Sequence, residues 1–219
     1  MRVHLIRHGE TELNQKHIHQ PAQSELSAVG QKQARALAPV LESLEVDLVL
    51  SSDLARARQT AEIATHTLDV PITYTDTLRE LRRPSALFGT SHFRPKTVRY
   101  VLQSLKHRTD PQWHFEDGES IFEVRKRAED VVAQLEQLSR KRKNRPTSIA
   151  VFSHALFIEI LRGALCSIGP RKWLDYIPIF SPFSRVPNTA VTTLFYDDDA
   201  KPGTCDWELV RENDVSHIV

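Results

Sequence analysis

The sequence predicts an α/β fold, a three-layer α/β/α sandwich on a mainly parallel central sheet. Two observations predict it. Apolar runs of strand length recur at residues 3–6, 46–50, 72–74 and 149–152, and three of the four lead into stretches whose apolar residues repeat every three to four positions. Near the end, NTAVTTLFY and WELVREN alternate apolar and polar residues and read as a closing pair of strands.

Val3, Leu5 and Ile6 make the first strand, and polarity flips at once into Arg7-His8-Gly9-Glu10-Thr11. Chemistry in α/β proteins sits outside the carboxyl ends of the strands. An arginine and a histidine there point to an anion site with a nucleophile or acid/base in it. Gly9 would let the backbone approach a ligand closely. His17 and His19 flank Ile18; with no third ligand nearby in sequence, they read as loop residues rather than as a metal pair. Ser27 is the expected N-cap of a helix with Ala34, Leu37, Leu41 and Leu44 on its apolar face, and Pro39 should kink or interrupt it.

Val46 and Leu48–Leu50 form the second strand. Ser51 or Ser52 is expected to cap the next helix, which buries Ala57, Ala61, Ala64 and Leu68. Arg56 and Arg58 fall in its first turns, against the positive end of the helix dipole, which makes sense if an anion lies nearby. The strand Ile72–Tyr74 runs into a polar loop carrying Glu80. Residues 81–118 lack clear periodicity apart from one helix marked by Val98, Val101, Leu102 and Leu105. They read as an insertion over one edge of the sheet, a lid or substrate pocket.

Ser120 to Glu123 is a capping box that opens a helix with Val124, Ala128, Val131, Leu135 and Leu138 on one face. The basic cluster Arg140–Lys143, with Arg145, suits a helix C-terminus without invoking nucleic acid. Ile149–Phe152 lead into Ser153-His154 and a helix with Ile158, Leu161 and Leu165. His154 thus takes the same topological place as His8, and the two can converge in one crevice.

A chain of 219 residues suits a single domain, 1–219. Net charge is +1, from 29 basic and 28 acidic residues, so no field argues for nucleic acid or an anionic membrane. Cys166 and Cys205 show no disulfide framework or zinc spacing, and Cys166 reads as core packing. With no signal pattern and no apolar run of membrane length, a cytoplasmic protein is expected. The oligomeric state is not legible.

Five blocks in this order, LIRHGETELN, SSDLARARQTA, LREL, VFSHA and VPNTAVTTL, resemble the histidine phosphatase superfamily with its phosphoglycerate mutase-like fold. The resemblance implies that His8 is the nucleophile that becomes phosphorylated. Arg7, Arg56 and His154 would hold the transferring phosphoryl group, with Asn14 contributing from the first loop. Glu80 would protonate the leaving oxygen and later act as base toward water. No metal and no cofactor are implied, because two arginines and a second histidine compensate the charge. The same guanidinium groups should keep His8 neutral.

The implied enzyme is a phosphoric monoester hydrolase of the histidine acid phosphatase type, acting on a small phosphorylated metabolite. A cofactor-dependent phosphoglycerate mutase, or a protein phosphatase acting on phosphohistidine or phosphotyrosine, is the alternative. The mutase usually carries an E-R-x-Y-G block and a longer chain, and a covered pocket suits small ligands better than proteins. Two departures border the substrate pocket: ELRRPSALFG lacks the usual glycine-aromatic motif, and HIHQPAQSELS lacks a glycine after its glutamine.

Overall fold

Side chains alternate across a strand, so β1 (Arg2–Arg7) sends Val3 and Leu5 into one core and Ile6 into another. The computed structural model describes residues 1–140, 146–165, 186–201 and 203–218. With β1, the strands β2 (Leu48–Ser52), β3 (Ile72–Thr75), β4 (Ser148–Ser153), β5 (Val191–Tyr196) and β6 (Trp207–Asp214) form one sheet in the order β3-β2-β4-β1-β5-β6. Only β5 runs against the other five. The mainly parallel sheet expected from the sequence is therefore present.

The helices are α1 (Glu12–Gln15), α2 (Ala28–Ser43), α3 (Ala55–Ala64), α4 (Pro95–Lys106), α5 (Ile121–Ser139) and α6 (Ala155–Ala164). Leu37 and Leu41 of α2 and Ala61 and Ala64 of α3 pack with Ile6, Val49 and Phe152. On the other face, Val124 and Leu135 of α5 and Phe157 and Leu161 of α6 pack with Val3, Leu5, Ile149 and Val151. Two helical layers thus cover both faces of the sheet, and each fully buried aliphatic side chain contributes about 1.5–3 kcal/mol.

The caps hold in two places and fail in one. Ser27 Oγ accepts from Gly30 N–H at 3.1 Å. Ser120 Oγ accepts from Glu123 N–H at 3.1 Å, and the Glu123 carboxylate accepts from Ser120 N–H at 2.9 Å. Ser51 and Ser52, by contrast, are the last residues of β2, and α3 starts after Leu54 with no side-chain cap. Strand pairing won over capping there because the sheet needs both residues in its ladder. Nor does Pro39 interrupt α2, which continues to Ser43. Cys205 is not a free thiol. Cys166 and residues 141–145 of the basic cluster lie outside the described residues.

Gly9 serves packing rather than ligand approach. A Cβ on Gly9 would sit 2.6 Å from Gly30 O, and one on Gly30 would overlap the Glu10 carbonyl. The loop after β1 is pressed against the first turn of α2, and only two glycines allow that contact.

Segment 81–118 leaves and returns at one point, where Glu119 N–H donates to Arg82 C=O at 2.7 Å. Inside it, residues 89–92 pair with residues 17–19: Gly89 N–H donates to His19 C=O, His19 N–H to Thr90 C=O and His92 N–H to His17 C=O. Among the described residues no helix is long and apolar enough to cross a membrane.

His4 is fully buried between strands. Ser148 Oγ donates to Leu44 C=O, so it accepts from His4 Nε2–H at 3.2 Å, and Nδ1 accepts from Thr193 Oγ1 at 3.0 Å. The neutral ring has both nitrogens satisfied, and burial, then Arg2, lowers its pKa to about 4. Below pH 6.5 the unfolded chain therefore binds a proton that the folded chain refuses. Stability is fully present above pH 6.5 and is lost as pH falls toward 4, by up to about 1.4 kcal/mol per pH unit for this one ring. Thermal unfolding followed between pH 7 and 5 should show a falling midpoint; a constant midpoint would contradict the assignment.

Candidate active site

Parallel pairing of β1 with β4 sets Arg7 opposite Ser153, so the residues that follow, His8 and His154, emerge side by side. Their ring centroids are 5.1 Å apart. His8 Nδ1 lies 2.7 Å from Gly9 O. A carbonyl oxygen only accepts, so Nδ1 carries the proton and Nε2 keeps its lone pair. Burial first, then Arg56 and Arg7, lowers the His8 pKa well below its ordinary value. The imidazole is thus neutral, and the bond at Nδ1 leaves Nε2 as the nitrogen with a free lone pair.

The two arginines converge on this ring from different elements. Arg7 ends β1 and donates from Nη1 to Val186 C=O at 2.6 Å. Arg56, 4% exposed in the first turn of α3, reaches Pro21 C=O at 3.4 Å. Burial lowers both guanidinium pKa values to about 10, so both remain charged at neutral pH. Arg7 Nε, Arg56 Nε and His154 Nδ1 are buried without a hydrogen-bond partner. Such orphaned groups are costly unless a ligand completes them. A tetrahedral oxyanion beside His8 would do so. Arg58, two residues on, stands on the surface over the Tyr74 ring at 4.3 Å, so one arginine of that pair belongs to the site and the other does not.

A cavity of about 830 Å³ opens here, and Arg7, His8, Asn14, Arg56 and Glu80 line it. His154 is fully buried against the His8 ring, with Nε2 2.9 Å from Ser52 Oγ. Burial, then Arg56 and His8, lowers its pKa well below the ordinary value. Asn14 spends its side-chain oxygen on the first turn of α1, accepting from Thr11 N–H at 2.7 Å and from Thr11 Oγ1. Its amide reaches Asn188 Oδ1 at 3.4 Å. Asn188 in turn donates to His8 C=O at 2.9 Å. Asn188 lies within the VPNTAVTTL block, but nothing local to that block marks it as a site residue. Nor does the local sequence mark Thr60, whose hydroxyl donates to Arg56 C=O and accepts from Gly9 N–H, tying α3 to the loop after β1.

Glu80 sits at the N-terminus of α6. Oε1 accepts from Leu81 N–H at 3.0 Å and Phe157 N–H at 3.1 Å; Oε2 has one longer bond, from Leu156 N–H at 3.3 Å. Oε1 has both lone pairs engaged, which leaves Oε2 as the less committed oxygen. Both site arginines lie within electrostatic reach of this carboxylate.

Arg127, on α5, holds the loop that carries Glu80. It donates from Nη1 to Thr77 C=O and Arg79 C=O, both at 2.8 Å, and pairs bidentately with Glu119 at 2.9 and 2.8 Å. Glu119 also accepts from Arg82 N–H at 3.1 Å, so one ion pair grips the chain on both sides of Glu80. Arg127→Gln should destabilise the protein by about 3 kcal/mol by leaving Glu119 unpaired. Well below its unfolding temperature, the variant should lose at least about tenfold in turnover of alkyl phosphates and less with p-nitrophenyl phosphate. Equal losses on both would show that Arg127 does not act through Glu80.

His17 and His19, far from a third histidine in sequence, meet His92 in space, with ring centroids 6.3 and 4.3 Å from it. Their nitrogens do not converge. Among the described residues the only acidic or histidine trio with ligand atoms drawn together is the exposed Asp197–Asp199.

A family model described as the histidine phosphatase superfamily (branch 1) matches residues 3–207. The "Probable phosphoglycerate mutase GpmB" of Citrobacter koseri is 27% identical over 224 aligned residues, spanning 100% of this chain and 95% of that protein. Among solved structures, a mycobacterial glucosyl-3-phosphoglycerate phosphatase superposes with a TM-score of 0.73 at 27% identity, covering 97% of this chain and 98% of that one. The alpha-ribazole phosphatase of Shigella flexneri shares the fold, with a TM-score of 0.74 at 22% identity over 98% and 96% of the two chains. With strand order, site placement and family match in agreement, this chain belongs to the histidine phosphatase superfamily.

Proposed function

We propose that this protein is a phosphatase that hydrolyses a phosphomonoester of a small metabolite through a phosphohistidine at His8. The observation that carries the reading is the neutral His8 ring, its Nδ1–H spent on Gly9 C=O, beside three buried polar groups without partners on Arg7, Arg56 and His154. In this reading His8 Nε2 attacks phosphorus, the bond to the ester oxygen breaks, and Glu80 Oε2 delivers a proton to the departing alkoxide. Arg7, Arg56 and His154 meet the charge on the equatorial oxygens, with the Asn14 amide on the loop side. Water then attacks the phosphohistidine as Glu80 takes its proton, the P–N bond breaks, and phosphate leaves. All of the charge compensation comes from side chains of this chain, so the step calls for no metal. Segment 81–118, folded back on itself beside the cavity, is the lid of one domain that spans the chain.

Phosphate release from a panel of phosphorylated metabolites, with chelator present and His8→Ala as the blank, tests the reading. Turnover of a few related esters supports it. The name carried by the curated relatives favours a second reading, a phosphoglycerate mutase. Silence across the panel, with 3-phosphoglycerate isomerised when 2,3-bisphosphoglycerate is supplied, would establish that one instead.

A further inference from the structure

Among the described residues, one cation on the cavity wall beyond the phosphoryl site has no counter-charge paired with it. Besides Arg7 and Arg56, the lining arginines are Arg79, Arg82, Arg83 and Arg127. Arg79 pairs with Asp53 and Arg127 with Glu119, while Arg82 is exposed. Arg83 is half-buried, and among the described residues its guanidinium has no carboxylate and no hydrogen-bond acceptor. Holding a cation partly out of water without a counter-charge is unfavourable, and a ligand anion relieves it.

Two neutral imidazoles stand beside it. Thr97 Oγ1 donates to Ser91 C=O, so it accepts from His19 Nε2–H at 3.2 Å. This leaves His19 Nδ1 as a buried lone pair without a partner. Burial, then Arg83, lowers the His19 pKa to about 3 and that of His92 to about 4. Neither ring therefore competes with Arg83 as a cation at neutral pH, and both can accept from hydroxyls. Arg83, His19 and His92 line the same cavity as His8, Arg7 and Arg56, and set an unpaired positive charge beside hydrogen-bond acceptors.

We propose that Arg83, flanked by His19 and His92, forms a second anion subsite, and that the substrate is a phosphomonoester bearing a carboxylate or a second phosphate. This rests on His8 marking the phosphoryl site. The subsite comes from the stretch Arg82–Arg83–Pro84, where the chain departs from the usual glycine-aromatic motif, so it belongs to this protein's own choice of substrate.

Calorimetric binding to the His8→Ala protein, which cannot turn ligands over, tests the subsite separately from catalysis. 3-Phosphoglycerate against glycerol 3-phosphate isolates a carboxylate, and fructose 1,6-bisphosphate against fructose 6-phosphate isolates a second phosphate. One pair should show a preference of about 10- to 100-fold for the bis-anion, the worth of one charge-assisted bond. Arg83→Gln in the same background should collapse that preference to about unity, and Arg83→Lys should retain part of it. A preference absent from both pairs, or one that survives Arg83→Gln, overturns the subsite. Loss of all four ligands would count against the phosphoryl site itself, and p-nitrophenyl phosphate turnover by the unaltered protein separately decides the phosphatase reading.

Discussion

Replacing His8 by alanine is expected to lower phosphate release at least about 10⁴-fold while leaving phosphate binding largely intact. The reason is geometric. The ring's Nδ1 is committed to Gly9 C=O, and Nε2 is the only nitrogen with a lone pair to offer phosphorus. Arg7 and Arg56 are held by Val186 and Pro21 carbonyls rather than by His8, so their grip on an oxyanion should outlast the substitution. Rapid quench of the unaltered enzyme should trap an acid-labile, base-stable phosphoenzyme that His8→Ala lacks. Turnover within tenfold of the unaltered protein would exclude His8 as nucleophile.

Glu80→Gln should divide substrates by their leaving groups. An alkyl alkoxide needs a proton as the P–O bond breaks, and losing a positioned acid costs about 10²–10⁴-fold. A p-nitrophenolate leaves without one, so its turnover should fall less than about tenfold in the phosphorylation step. Glutamine keeps an oxygen for the N–H groups of Leu81 and Phe157, so the N-terminus of α6 should stay capped and the comparison remain one of chemistry. A plot of log kcat/KM against leaving-group pKa should steepen in the variant. Parallel lines would remove Glu80 from the acid's role and leave it as a helix cap.

Both experiments probe a site that two strands assemble. The β1–β4 register decides that His8 and His154 touch, because a parallel pair brings both carboxyl ends to the same edge. The loop after β1 is then pinned by Thr60 and by the Gly9–Gly30 contact. Arg127 does the same for Glu80 from the opposite helical layer. His8 and Glu80 are thereby each held by an element other than their own.

Much of this was legible in the chain. Apolar runs of period two and stretches of period three to four are local, so the strands, the parallel sheet and the two helical layers followed from them. The blocks around His8, Arg56, Glu80 and His154 were also local, since each is one strand end and the turn after it. What failed locally was competition: Ser51 and Ser52 are good caps, but the ladder with β3 and β4 claimed them. Gly9 could have faced a ligand; its reason lies 21 residues away, at Gly30.

The sequence by itself determined the fold class, the family and the residues able to do the chemistry, because strand and helix periodicity and contiguous motifs are written within about ten residues. Only the tertiary structure decided which of Arg56 and Arg58 enters the site, which nitrogen of His8 is free, and that Arg127 holds the Glu80 loop and Asn188 the His8 carbonyl. It alone brought Arg83 to His19 and His92. Most of those facts depend on residues far apart in the chain, up to 180 positions for Asn188 and His8, and a contact's energy depends on distance in space, which the order of residues along the chain does not contain.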